Sequence, residues 1–283
     1  EESRDILRAA FLEEGVETDI SLYTDYEALL GDDRVDLVMI TTPTDLHREM
    51  ATAALRTGKR VYLDKPMAQN AVDAGAILEA ERETGNSLIM GFTRRYESPW
   101  NRAHALLKQG VIGDLVMMQI RVIIPYPVYF QRWFRRREWG GGGLMDKGSH
   151  LCDVFNWFAE SEPSRVSAFG GQAVYRPEED GPERCLECGR TCPYRAVASD
   201  PTEQKDQIGA LNDPSWLQET EERYRPDNCV YLPGADTPDH ATVQFRYSNG
   251  LLASLFFAIF GPAAEDQETF ELVGSKGRII LTR

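Results

Sequence analysis

The sequence predicts an α/β chain that passes from a Rossmann-type parallel sheet into a second, largely antiparallel and open-faced sheet of α+β character. Three observations carry the prediction. Between Val35 and Gly91, short apolar runs alternate with helix-length amphipathic segments, the rhythm of a parallel sheet with right-handed crossovers. After Arg95 the strands crowd together, and Ser248-Asn249-Gly250 and Ser275-Lys276-Gly277 mark hairpin turns. Between these patterns, the stretch GGGGLMDKGSHLCD from Gly140 to Asp153 runs four glycines into a helix. The chain is expected to divide into residues 1–95 and 96–283.

Residues 5–15 read as an amphipathic helix with Ile6, Leu7, Ala10 and Phe11 inward. TDYEALLG is a second helical piece, capped by Thr24 and stopped by Gly31. VDLVMITT (35–42) is a continuous apolar run of strand length, expected to be buried on both faces. A helix from Asp45 to Thr57 buries Leu46, Met50, Ala53 and Ala54 and ends at Gly58. RVYL (60–63), a helix over 71–83 stopped by Gly85, and SLIMG (87–91) complete half of a doubly wound nucleotide-binding unit. A helix over 98–109 leads to strands at 115–124 and 165–175, and then to the two hairpins. The aromatic and arginine-rich segment 125–139 reads equally as a loop folded on the core or as a substrate lid. Residues 176–238, polar and proline-containing, read as a long insertion over one end of the sheet.

In parallel sheets ligands sit at the carboxyl ends of the strands. Those ends hold Thr41, Thr42 and Pro43, then Asp64-Lys65-Pro66, then Phe92 to Arg95. A lysine pinned at a strand terminus is either a surface turn residue or a cation aimed at a developing oxyanion. In the glycine-led helix, Leu144, Leu151, Val154, Phe155 and Phe158 define an apolar face, while Asp146, His150 and Asp153 share a second face at i, i+4 and i+7. The glycines let a ligand approach the backbone, and the histidine can exchange protons near neutrality. The alternative is a satisfied core histidine beside an aspartate that complements the helix dipole.

The composition, 42% hydrophobic and 27% charged, is that of a globular protein, and the net charge of −14 argues against nucleic-acid and anionic-membrane surfaces. No apolar run reaches membrane-spanning length, so a cytoplasmic setting is expected. Cys185, Cys188 and Cys192 form C-x₂-C-x₃-C, and Cys229 follows at a distance. Four thiolates suit a tetrahedral structural zinc. Reduced, unliganded thiols are an equal reading, and an iron–sulfur cluster a third. Cys152 reads as a small buried side chain.

The motifs TTPTDLH, ATAAL, GKRVYLDKPMA, GFTRRY and GGGGLMDKGSHLCD, in this order, resemble the glucose–fructose oxidoreductase/inositol dehydrogenase/MocA family. The resemblance implies two domains, one for NAD or NADP and one for a sugar-like substrate, and an oligomer formed through the open sheet face. Carried over by position, it implies Lys65, Asp146 and His150 as the catalytic set. Thr41, Thr42, Pro43, His47, Asp64, Lys65 and Arg94 would line the cofactor, with Asp153 beside the substrate. Two departures stand out: Asp64 replaces the usual glutamate before the lysine, and no G-x-G-x-x-G follows a strand. The family's first strand and glycine-rich loop are therefore expected to precede Glu1, and relatives to continue beyond Arg283. The activity implied is hydride transfer between a secondary alcohol of a sugar, polyol or inositol and the nicotinamide. An NAD-retaining glycosidase and a non-catalytic sugar sensor are the alternatives.

Overall fold

The computed structural model describes residues 21–195, 221–261 and 266–282. The helix expected over 5–15, and residues 196–220 of the insertion, lie outside them. A short helix α1 (Tyr26–Leu30) comes first, capped by Asp25, whose carboxylate accepts from the Ala28 N–H at 2.7 Å. The cap is thus one residue beyond the expected Thr24: Asp25 is extended and carries an acceptor well placed for the third N–H of the helix.

Strands β1 (Leu37–Ile40), β2 (Arg60–Leu63) and β3 (Leu88–Met90) form a parallel sheet in that order, joined by α2 (His47–Arg56) and α3 (Ala71–Thr84). Ala51, Ala54 and Leu55 of α2 and Ile77 and Ala80 of α3 close over Ile40, Val61 and Leu63. The sequence expectation for α2 is off by a rotation. A 3-10 turn at Thr44–Leu46 delays the helix, so His47 turns inward while Leu46 stays in solvent. The expectation that β1 is buried on both faces also fails among the described residues. Leu37 and Met39 are 49% and 63% exposed, because α2 and α3 cover one face only.

After α4 (Ser98–Lys108) comes β4 (Leu115–Ile123), then the short helices α5 (Val128–Gln131) and α6 (Arg137–Gly140) and the long α7 (Gly142–Ala159). Strands β5 (Pro163–Gly171), β6 (His240–Tyr247), β7 (Leu252–Ala258), β8 (Glu268–Gly274) and β9 (Arg278–Thr282) follow, and the six-stranded sheet runs β5-β6-β7-β4-β8-β9. Every pair is antiparallel except β4–β7, whose parallel register needs the long crossover that carries α7. Both expected hairpins form. Strict alternation along β6 sends Ala241, Val243, Phe245 and Tyr247 inward, where Phe155 and Phe158 of α7 meet Phe245 and Phe270 at ring separations of 5.5 and 5.0 Å. Burying each such phenylalanine stabilises the fold by roughly 1.5–3 kcal/mol. The opposite face is open: Leu252, Met117 and Val273 lie side by side across three strands and are exposed.

β5 stops at Gly171, short of the expected Tyr175. The buried Asp239 carboxylate accepts from the N–H groups of Ala173, Val174 and Tyr175 at 2.8–3.0 Å, drawing the chain out of the ladder.

Candidate active site

The glycine run does a different job from the one its sequence suggests. Gly142 has φ +86°, and a Cβ there would sit 2.6 Å from the Thr237 side chain; a Cβ on Gly143 would meet the Tyr129 ring at 3.0 Å. The run therefore brings protein neighbours, not an open ligand surface, against the start of α7, and so fixes where Asp146 and His150 point.

Asp146 is buried and accepts twice. Lys65 Nζ lies 2.5 Å from its Oδ1, and the Tyr129 hydroxyl donates to its Oδ2 at 2.5 Å. Lys65 comes from the end of β2, through a cis Lys65-Pro66 bond, so the ion pair joins the parallel sheet to the helix lying on the other sheet. Burial first, then the Asp146 charge, holds Tyr129 protonated well above the ordinary phenol range. His150 follows one turn after Asp146, buried, with Nδ1 lacking a partner among the described residues and its ring edge-on to Phe92 at 6.0 Å. Burial, reinforced by the nearby Lys65 and Arg94 and opposed by Asp146, pushes its pKa down to about 3. The imidazole is thus uncharged near neutral pH.

The remaining expected residues spread around this centre. Thr41, Thr42 and Pro43 follow β1, and Asp64 caps its own turn by accepting from the Lys65 N–H at 2.9 Å. His47 is a strut: its ring nitrogens lie 2.9 Å from the carbonyl oxygens of Thr42 and Pro66, tying the two strand ends together. Arg94 turns toward β8, where Nη2 meets Glu268 at 2.6 Å, and its guanidinium lies 4.8 Å from the Trp100 ring centre. Asp153 is taken by Arg95 in a two-point pair at 2.8 and 2.9 Å. Tyr129 escaped the sequence reading; the aromatic density of 125–139 leading into the glycines was its only signal.

Cys185, Cys188, Cys192 and Cys229 line one pocket, yet among the described residues no group of three metal-ligating side chains comes together. Cys188 Sγ instead accepts from the Arg190 N–H at 3.4 Å, and the Cys185 thiol donates to the Asn228 carbonyl at 3.8 Å. The zinc expected from the spacing thus finds no assembled ligand set among the described residues. Cys152 is half-buried on α7, and burial with Asp153 nearby raises its pKa to about 11.

Residues 3–92 match the oxidoreductase family described as an NAD-binding Rossmann fold, and residues 100–280 match the GFO/IDH/MocA C-terminal domain. The chain belongs to the GFO/IDH/MocA family. YteT of Bacillus subtilis is 27% identical over 273 residues, 90% of this chain and 62% of that protein. The 1,5-anhydro-D-fructose reductase of Ensifer adhaerens is 32% identical over 161 residues, 56% of this chain and 48% of the reductase. Levoglucosan dehydrogenase, solved with NADH and levoglucosan, superposes with a TM-score of 0.69 at 20% identity, covering 98% of this chain and 61% of its own. The chain thus spans roughly half to three-fifths of the length of these family members.

Proposed function

We propose that the protein carrying this chain is an NAD(P)-dependent oxidoreductase that transfers hydride between a secondary alcohol of a sugar, polyol or inositol and the nicotinamide. The observation that carries the reading is the Lys65–Asp146 pair with the neutral His150 one turn away. Residues 1–95 would hold the nucleotide and residues 96–283 the sugar, with the chemistry at the crevice between them. The crevice fits the nicotinamide end of NAD or NADP: the segments after β2 and β3 meet α7 there through Lys65–Asp146 and Phe92–His150, and the buried His150 Nδ1 has no partner among the described residues. Bound there, the nicotinamide would supply the hydride acceptor. His150 takes the hydroxyl proton, and Lys65 steadies the resulting alkoxide with the N–H donors it does not give to Asp146. Asp146, held by Tyr129, keeps the ammonium aimed. Thr41, Thr42 and Pro43 lie where the cofactor would pass.

The exposed row of Leu252, Met117 and Val273, with Phe256 on the same sheet, supports a second copy docking on the open face. Among the described residues no helix is long and apolar enough to cross a membrane. Five cysteines without a disulfide suit a reducing, cytoplasmic setting.

The test is a nicotinamide-absorbance screen of the full-length protein with NAD and NADP against sugars, sugar acids and inositols. Turnover that disappears in Lys65→Ala is expected. Tight cofactor binding with no turnover on any alcohol would overturn the dehydrogenase reading.

A further inference from the structure

Beside the proposed centre, and not used by it, a cavity of about 120 Å³ opens under α7. Arg94, Lys147, Tyr126, Gln267 and Glu268 supply its polar lining, and Val122, Ile124 and Leu151 its apolar wall. Lys147 and Leu151 are one turn apart on α7, Lys147 precedes His150 by three residues, and the charges of both Arg94 and Lys147 reach the imidazole.

The charges of this lining do not cancel. Arg94 and Lys147 bring two cations against one carboxylate, Glu268, and Lys65 is already matched by Asp146. Arg94 is 5% exposed, and although Nη2 is paired with Glu268, Nε and Nη1 are buried without a partner among the described residues, as is Glu268 Oε1. Lys147 forms no ion pair or hydrogen bond among the described residues; its ammonium lies 4.9 Å above the Tyr126 ring. Burial lowers its pKa, the mark of an ammonium short of counter-charge. Arg94 is buried and Lys147 partly so, and such cations are costly unless paired. Water could satisfy the N–H groups but would leave the net positive charge uncompensated, and a neutral hydroxyl would do no better. A carboxylate would accept from both cations, and a hydroxyl next to it could donate to Glu268 Oε1.

We infer that this cavity is a carboxylate-binding subsite, and that the preferred substrate is an acidic sugar, an aldonate or uronate, whose carboxylate is held by Lys147 and Arg94 while a nearby secondary hydroxyl reaches His150. The inference rests on the dehydrogenase reading for its chemistry but not for its binding. Its volume accepts the acid group and its adjoining carbon, and leaves the polyol chain extending toward the crevice.

The test compares matched pairs, gluconate with sorbitol and glucuronate with glucose, on the full-length protein with its cofactor. Turnover and calorimetric binding are followed together in wild type, Lys147→Gln and Lys147→Arg. The expected result is a preference for the acids. Lys147→Gln should cut the acid-to-neutral ratio of kcat/KM by about 100-fold, with Lys147→Arg restoring most of it. Acid binding without turnover, lost in Lys147→Gln, would uphold the subsite while refuting the dehydrogenase. Turnover confined to neutral polyols, or a ratio unmoved by Lys147→Gln, would refute the subsite and leave the dehydrogenase standing. Absence of carboxylate binding to the wild-type protein would overturn the inference directly, whatever the variants do.

Discussion

The helix that carries Asp146 and His150 and the loop that carries Cys185, Cys188 and Cys192 start from the same material, reactive side chains a few residues apart. On α7 the helical period fixes their directions, and Phe155 and Phe158 lock the rotation of the whole helix against the sheet. A lysine arriving from 81 residues away then finds its carboxylate within 2.5 Å. On the loop no period constrains the thiols, and Cys185 and Cys188 bond to backbone groups instead of converging with Cys192 on one point. Spacing becomes geometry only where the backbone repeat is imposed and anchored.

That contrast can be broken at several levels. The largest effect is expected from His150→Ala in the full-length protein: turnover should fall by about 10²–10⁴-fold while cofactor affinity, read by fluorescence titration, changes little. Surviving turnover would place the base elsewhere. Next, Phe155→Ala should remove roughly 3–5 kcal/mol of stability, measured by urea unfolding, because it cuts the anchor of α7. A loss under 1 kcal/mol would show that the helix is held by something other than this face. Tyr129→Phe should cost about 1.5–3 kcal/mol and lower kcat more than it raises KM, since the Asp146 carboxylate loses one of two donors.

A subtler effect follows from His150. Its pKa is about 3 in the folded chain and about 6.5 when unfolded. Between those values the unfolded chain binds a proton that the folded chain refuses, so acidification through this window lowers stability. The slope from this one group approaches about 1.4 kcal/mol per pH unit. Unfolding titrations of wild type and His150→Gln should differ by that slope between roughly pH 6 and 4; parallel curves would mean an exposed imidazole. The smallest effect is expected at the cysteines: a chelator should leave the melting temperature unchanged. One zinc per chain, with a fall in Tm on its removal, would erase the contrast between helix and loop.

The backbone plan was legible because it is written in local signals. RVYL became β2 with the expected ends, Gly85 stopped α3 in the left-handed conformation, and Gly250 turned the hairpin. The errors arose where a distant partner decides. Leu46 lost its inward place to His47 because two carbonyls from separate strand ends awaited the imidazole. A distant partner also reaches Asp153, which keeps the i+7 spacing from Asp146 and pairs with Arg95, a contact no local signal announces. Tyr129 could not be singled out among its aromatic neighbours, since its partner Asp146 lies beyond a run of glycines whose path only the folded chain reveals.

The pairing of Lys65 with Asp146 also has an evolutionary side. Each sheet has its own apolar core, so recombination between β3 and α4 would leave both cores intact. The ion pair would survive only if both parents carried their half of it, so shuffling that preserves architecture breaks the site by default. For the proposed chemistry, selection would therefore act on the two halves jointly, through a Lys65–Asp146 pair that neither half encodes alone and that stands beside Arg94–Glu268, Arg95–Asp153 and Asp45–Arg223 across the same seam.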